Sequence, residues 1–257
     1  MKGLDLSPQA PLIVLFTDFG LEGPYTGQVK AALWRIAPIV PVIDLFADAP
    51  AQRPREAAYL LAAYVDAMPA GSVFLCVVDP TVGSERPAVA ARIDGRWFVG
   101  PGNGLFEPLL RRASTARTFF IHSGPEPVSA SFHGRDLFAP AAAHLAKGGD
   151  VGECGLVEGK IPRFLDWPDD LPVIVYVDVY GNLMTGLRAC IIPDDAVLVV
   201  AGRRLVRART FSDVPLGAAF WYENANGLAE VAVNRGRADR LFERGVGDEV
   251  QIISAKS

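Results

Sequence analysis

Cysteine is scarce in this chain of 257 residues: Cys76, Cys154 and Cys190 are odd in number, far apart and free of any C-x-x-C spacing. That argues against both a disulfide framework and a zinc site, so no metal is expected. Cys76 lies inside the apolar run Val73–Val78 and reads as a buried thiol acting as a small hydrophobe. No apolar run approaches the about 20 residues that a membrane helix needs. The first residues lack the basic, then apolar, then small pattern of a leader, so a cytoplasmic protein without a membrane partner is expected. An excess of positive charge is missing too. With 25 Lys and Arg against 29 Asp and Glu, the net charge is -4 and the arginines are scattered among acids, so nucleic acid is a poor partner and a small soluble ligand a better one. Half the residues are apolar, which excludes disorder and allows a full core, as one large domain or two smaller ones.

What is present alternates. Leu12–Phe16 is a short continuous apolar run that stops at Thr17-Asp18-Phe19-Gly20, as a buried parallel strand does where it meets a loop. Tyr25 to Ile36 carries helical spacing through Val29, Ala32, Leu33 and Ile36 and is ended by Pro38. Val40–Leu45 reads as a second strand, Arg55–Ala67 as a second helix and Val73–Val78 as a third strand. The series predicts an α/β fold with a mostly parallel sheet. Ala88–Ile93 and Arg96–Val99 flank Asp94-Gly95, a hairpin signal. The turn Pro101-Gly102-Asn103-Gly104 precedes another helix, and Asp136–Leu145 is the last helix of this half. Around Pro162–Pro172, aspartates and prolines interrupt any regular pattern, which predicts an N-terminal α/β domain over 1–165 and a second domain over 172–257. The latter reads as strands at Val173–Val179, Ala196–Val200, Leu205–Ala208, Ala219–Tyr222, Leu228–Val233 and Val250–Ile253, a small antiparallel β-barrel-like domain.

Ligands of parallel sheets sit beyond the carboxyl ends of the strands, where Asp18 and Asp79 both fall. At Asp18 a phosphate-binding loop would have glycines. A carboxylate there repels phosphate but accepts hydrogen bonds from a vicinal diol, so a ribose without phosphate is the ligand suggested, the alternative being an Asp that caps the next helix. Asp79 and Arg86 lie on one loop across Pro80 and Gly83, and read either as an inward-turned acid and cation or as a surface ion pair. His133, in Ser131-Phe132-His133-Gly134-Arg135-Asp136, is a candidate base or a satisfied histidine near a helix start; Gly134 beside it allows close backbone approach to a ligand. Asp178, Tyr180 and Asn182 again follow an apolar strand and supply an acid, an aromatic ring and an amide, the set needed to stack a purine and bond its edge.

Taken in order, Thr17-Asp18-Phe19-Gly20, Asp79-Pro80-Thr81-Val82-Gly83 with Arg86, Pro101-Gly102-Asn103-Gly104-Leu105, Phe132-His133-Gly134-Arg135-Asp136, Asp178 with Gly181-Asn182, and Asn226-Gly227-Leu228 with Val233-Asn234 resemble one family. It is the S-adenosyl-L-methionine (SAM) hydroxide adenosyltransferases, or SAM hydrolases, relatives of the fluorinating and chlorinating enzymes. The resemblance spans roughly Ile13 to Ile253. It implies an α/β domain joined to a β-barrel-like domain, a homotrimer with active sites at subunit interfaces, no cofactor, and conversion of SAM and water into adenosine and L-methionine. By position, Asp79, Arg86 and His133 match the family's set that positions and activates water, with either Asp79 or His133 taking the proton. Asp18 matches the carboxylate that holds the ribose hydroxyls. Phe19, Asn103, Gly134, Asp178, Tyr180, Asn182, Asn226 and Val233 fall on the substrate-facing motifs. A SAM-dependent halogenase and a non-catalytic adenosine-binding protein are the alternatives. Against the first, a carboxylate at Asp79 would repel a halide, and the fluorinase-like pattern has a tyrosine there and a serine at the place of Gly134. This chain also runs from Arg86 into the Asp94-Gly95 hairpin without the insertion typical of fluorinases.

Overall fold

The computed structural model describes residues 11–122, 127–152 and 154–253. The residues on which the expected absence of a leader rests lie outside that range. The chain divides into two compact units, Met1–Pro54 with Asp66–Phe164, and Arg55–Val65 with Leu165–Ser257.

In the first unit, β1 (Ile13–Thr17) is buried along its whole length. Burial of each large side chain in such a strand stabilises by about 1.5–3 kcal/mol, which is why a continuous apolar run settles between two neighbours. α1 (Tyr25–Ile36) buries Val29, Ala32 and Leu33. The chain then passes through β2 (Val42–Phe46) and α2 (Pro54–Tyr64), the latter counted almost entirely with the second unit. β3 (Val73–Val77) follows, then β4 (Ala88–Ile93) and β5 (Arg96–Pro101). Asp94 and Gly95 join β4 to β5 at φ 45° and 83°, the two positive values that a tight hairpin turn of this kind needs. α3 (Glu107–Arg112) and β6 (Ala116–Ile121) come next. A π-helical turn over Gly134–Phe138 then leads into α4 (Ala139–Ala146), and β7 (Leu156–Glu158) closes the unit.

The sheet has seven strands in the order β2-β1-β3-β5-β4-β6-β7. β2, β1, β3 and β5 run parallel, while β4, β6 and β7 add antiparallel pairings. Val29 and Leu33 of α1, Ala142 and Leu145 of α4 and Phe138 share one core cluster with Leu15, Leu75 and Val77 of the sheet. From β1 the chain goes first to β2 on one side and later to β3 on the other. The carboxyl ends of β1 and β3 are therefore a topological switch point, the place where open α/β sheets bind their ligands.

In the second unit, β8 (Leu171–Val177), β9 (Leu183–Arg188), β12 (Ala219–Glu223) and β13 (Leu228–Val233) form an antiparallel sheet in the order β12-β13-β9-β8. β10 (Val197–Val200), β11 (Arg203–Leu205) and β14 (Gln251–Ile253) form a second, in the order β11-β10-β14. A short α5 (Ala238–Phe242) precedes β14. Single bridges, Val173 to Glu249 and Arg207 to Trp221, stitch the sheets together at both edges. The result is barrel-like, with the ladder interrupted at two seams. Trp221, Val231, Leu183, Leu198, Leu205 and Phe242 fill the interior. The strand expected at Leu205–Ala208 lies earlier, at Arg203–Leu205. β6, β7 and β9 are strands that sequence periodicity did not single out.

Candidate active site

Asp18 and Asp79 follow the ends of the adjacent parallel strands β1 and β3. The Asp18 amide donates to Val77 O at 3.3 Å, and its Oδ2 accepts from the Gln52 amide at 2.9 Å. Gln52 sits in the left-handed region at φ 58°, which turns its N–H toward that oxygen. Burial pushes the Asp18 carboxyl above the usual carboxylate range, the Gln52 bond pulls it back, and the nearby Asp79 charge adds a smaller upward push.

Asp79 starts a tight loop. Its Oδ1 accepts from the Thr81 amide at 3.2 Å and the Thr81 hydroxyl at 3.1 Å, an Asx-type turn that curls the chain back. Its Oδ2 accepts from Arg86 Nε at 2.9 Å and also from Arg86 Nη2. Gly83, at φ +82°, lets the loop pass so close to the second loop that an added Cβ would lie 2.7 Å from Ala130 O. Through that contact His133 is brought to Arg86: Nη2 lies 2.9 Å from His133 Nδ1. The guanidinium also stacks over Phe138, 5.2 Å from the ring centroid. The Asp79 and Arg86 side chains are only 4% and 9% exposed, so this is a buried ion pair and not a surface pair.

A guanidinium only donates, so His133 Nδ1 is the acceptor and the neutral ring carries its proton on Nε2. Burial first, and then the Arg86 charge, hold this imidazole below its usual range, against the opposite pull of Asp79 and Asp136. In that state His133 presents an N–H at its free edge and has no lone pair left to take a proton. The Asp79 carboxylate is the one anion of the trio.

Around this trio, Phe19 packs edge-on against Phe132 at 5.8 Å, and an added Cβ on Gly134 would lie 3.0 Å from the Phe19 ring. The close approach that Gly134 permits is therefore to Phe19. Asn103 Nδ2 donates to Val78 O at 2.9 Å and pins the end of β3 just ahead of Asp79.

In the second unit, Asp178 accepts from the amides of Tyr180 and Asn182 at 2.9 and 2.8 Å and from Asn182 Nδ2 at 3.0 Å, shaping the turn between β8 and β9. Tyr180 is 73% exposed at its tip, whereas Val233 is buried at 6% in the core. The Asn226 amide N–H is held at 3.0 Å by Asn224 Oδ1, and its side chain lies near the Tyr64 hydroxyl. Gln52, Phe138 and Tyr64 join these constellations without having been singled out from sequence. Asn224 stands in the Glu223–Leu228 segment, which reads from sequence as a polar turn between strands. Among the described residues, no group of three or more His, Cys, Asp or Glu is disposed to hold a metal ion, and no helix is long and apolar enough to cross a membrane.

Two acids at a switch point, one of them in a buried Asp-Arg-His trio, define an α/β protein whose parallel strands end in a polar site. The chain belongs to the SAM hydroxide adenosyltransferase family: residues 13–155 match its N-terminal domain and residues 173–251 its C-terminal domain. It is 42% identical to the (R)-S-adenosyl-L-methionine hydrolase of Thermus thermophilus, over 94% of this chain and 99% of that protein. With the protein of the same name from Salinispora arenicola the identity is 34%, over 94% and 97%. A fluorinase of Nocardia brasiliensis is more distant, at 23% over 94% and 96%. The crystal structure of an uncharacterized conserved protein from Thermotoga maritima matches with a TM-score of 0.84 at 29% identity, covering 94% of this chain and 99% of that one.

Proposed function

We propose that this protein hydrolyses S-adenosyl-L-methionine to adenosine and L-methionine, with water attacking C5′ in line with the bond to sulfur. The observation that carries this reading is the buried Asp79-Arg86-His133 trio beside Asp18, in a chain 42% identical to a protein named as a SAM hydrolase. The sulfonium leaves as a neutral thioether, so the site needs neither a general acid nor a cofactor. It must orient one water and exclude its competitors. His133 Nε2–H donates to the water oxygen, Asp79 takes its proton, and Arg86 holds both in register. Asp18 accepts from the ribose hydroxyls, with Phe19, Asn103 and Gly134 lining the same place. Asp178, Tyr180, Asn182 and Asn226 form the adenine- and methionine-facing part, with Val233, whose side chain lies in the core, packing behind them.

In this reading an α/β domain over 1–165 carries the water side and a domain over 172–257 the rest. The active enzyme is a homotrimer with its sites at subunit interfaces. Trp34 of α1 and Ile39 of the segment between α1 and β2, 67% and 91% exposed, suit a surface covered by another copy. The exposed thiol of Cys190 suits a reducing cytoplasm. The net charge of -4 suits a small ligand better than nucleic acid. Incubation with SAM, with and without chloride, tests the chemistry. Adenosine and methionine are expected under both conditions; 5′-chloro-5′-deoxyadenosine would mean a halogenase, and adenosine binding without turnover would mean a binding protein.

A further inference from the structure

Within the second unit one side chain breaks the pattern of its strand. β13 is buried at every position, yet Glu230 stands in it at 2% exposure among leucine, alanine and valine. Strand register sets it directly between Tyr222 of β12 and Met184 of β9, with Tyr176 of β8 next in line. Residues paired in this way share a face of the sheet, so a row of Tyr222, Glu230, Met184 and Tyr176 crosses all four strands. The Tyr64 hydroxyl, from α2, reaches Met184 Sδ at 3.5 Å in the same row.

A buried carboxylate is costly unless hydrogen bonds replace its water. Here Tyr222 Oη donates to Oε1 at 2.5 Å and Asn224 Nδ2 to Oε2 at 2.9 Å, with Asp178 and Asn182 nearby. Both donors are neutral. An apolar residue of similar size would be cheaper to bury than a carboxylate without a cation. What the carboxylate does instead is brace the 224–228 turn next to the 178–182 turn. Asn182 closes the 178–182 turn through Asp178, and Asn224 Oδ1 receives the amides of Asn226 and Leu228, each at 3.0 Å, to shape the 224–228 turn. Gly181 seats the first turn tightly, since an added Cβ would lie 2.4 Å from Asp239 Oδ1.

We propose that Glu230 is a positioning residue for substrate affinity: through Asn224 it holds the Asn226 turn in one fixed arrangement next to the Asp178-Asn182 turn, without itself touching the ligand. This rests on the assignment of those turns to SAM. A carboxylate is needed because each of its oxygens accepts, one from Tyr222 and one from Asn224, whereas an amide of the same shape must turn its NH2 toward one of them. Chemistry at C5′ does not depend on it, so the effect falls on binding and not on the reacting step.

The test is Glu230→Gln, assayed for SAM turnover and, by calorimetry, for adenosine binding. Expected are a KM for SAM and a Kd for adenosine each raised about tenfold, with kcat within about twofold of wild type. Glu230→Asp, which keeps the charge but draws the oxygens back by one methylene, is expected not to restore affinity. Tyr222→Phe removes one donor and leaves the Asn224 bond in place; it should raise KM about two- to threefold and serves if Glu230→Gln does not fold. Unchanged KM and adenosine affinity in the folded variants would overturn the proposal. So would a fall of kcat in step with the melting temperature, the mark of a merely structural residue. Wild-type protein that binds adenosine but forms none from SAM would refute the hydrolase reading alone, and the calorimetric comparison would still decide the role of Glu230.

Discussion

Arg86 serves three neighbours from one plane: Asp79 on its Nε side, His133 at Nη2 and the face of Phe138 beneath. Removing the Asp79 carboxylate by truncation leaves this cation buried and unpaired, at a cost of about 3–5 kcal/mol. Asp79→Asn keeps the shape but not the charge, so its melting temperature is read beside its turnover to separate catalysis from loss of the buried pair. Turnover is expected to fall by about two orders of magnitude or more while adenosine affinity stays within a few-fold, read by product assay and calorimetry. For His133 the sign follows from its lowered pKa. The neutral, Nε2-protonated form persists as pH falls through the ordinary histidine value of about 6.5, and is lost only further down. Activity should therefore hold through that value and drop on an acid limb below it, a limb absent in His133→Asn. Stability follows the same direction. Below about pH 6.5 the unfolded chain takes up the proton first, so any stability that depends on the neutral ring is lost as pH falls from there toward the folded value.

Elements bring these residues together through backbone that only glycine permits. At Gly83, positive φ and the 2.7 Å clearance to Ala130 O act together, so Gly83→Ala is strained in its own conformation and also pushes the 79–86 loop off its neighbour. A loss of about 1–3 kcal/mol in urea unfolding is expected, with a larger proportional fall in kcat than in adenosine affinity, because the Arg86 to His133 bond depends on that contact. The same glycines explain what was legible in the sequence. α1 and β13 stand where periodicity sets them, since a continuous apolar run or a regular stripe has one easy solution. β9 escaped notice because Gly186 reads as a turn; its glycine is there because an added Cβ would lie 2.8 Å from the Leu171 side chain and backbone. β6 begins with exposed Ala116 and Arg117 and so lacks the apolar onset of its neighbours. At the site, Asp79 and Arg86 are legible because polar residues and glycine after a buried strand are unusual together, and His133 because it stands beside Gly134 in a polar segment before a helix. Gln52 contributes a backbone N–H, which no residue type advertises.

At the scale of the whole molecule, sedimentation should give three times the 27.6 kDa chain mass, and a single-chain mass under assay conditions would remove the trimer from the proposed function. The order in which the chain visits its two units has a further consequence. Helix α2 belongs with residues that follow Leu165, although it is flanked on both sides by the first unit. On a ribosome that helix emerges about 100 residues before its partners. At about 5–20 residues per second it waits roughly 5–20 s with its buried alanines and leucines uncovered. Nascent chains halted shortly after β7 should therefore be the ones that chaperones hold and proteases cut, between Arg55 and Val65.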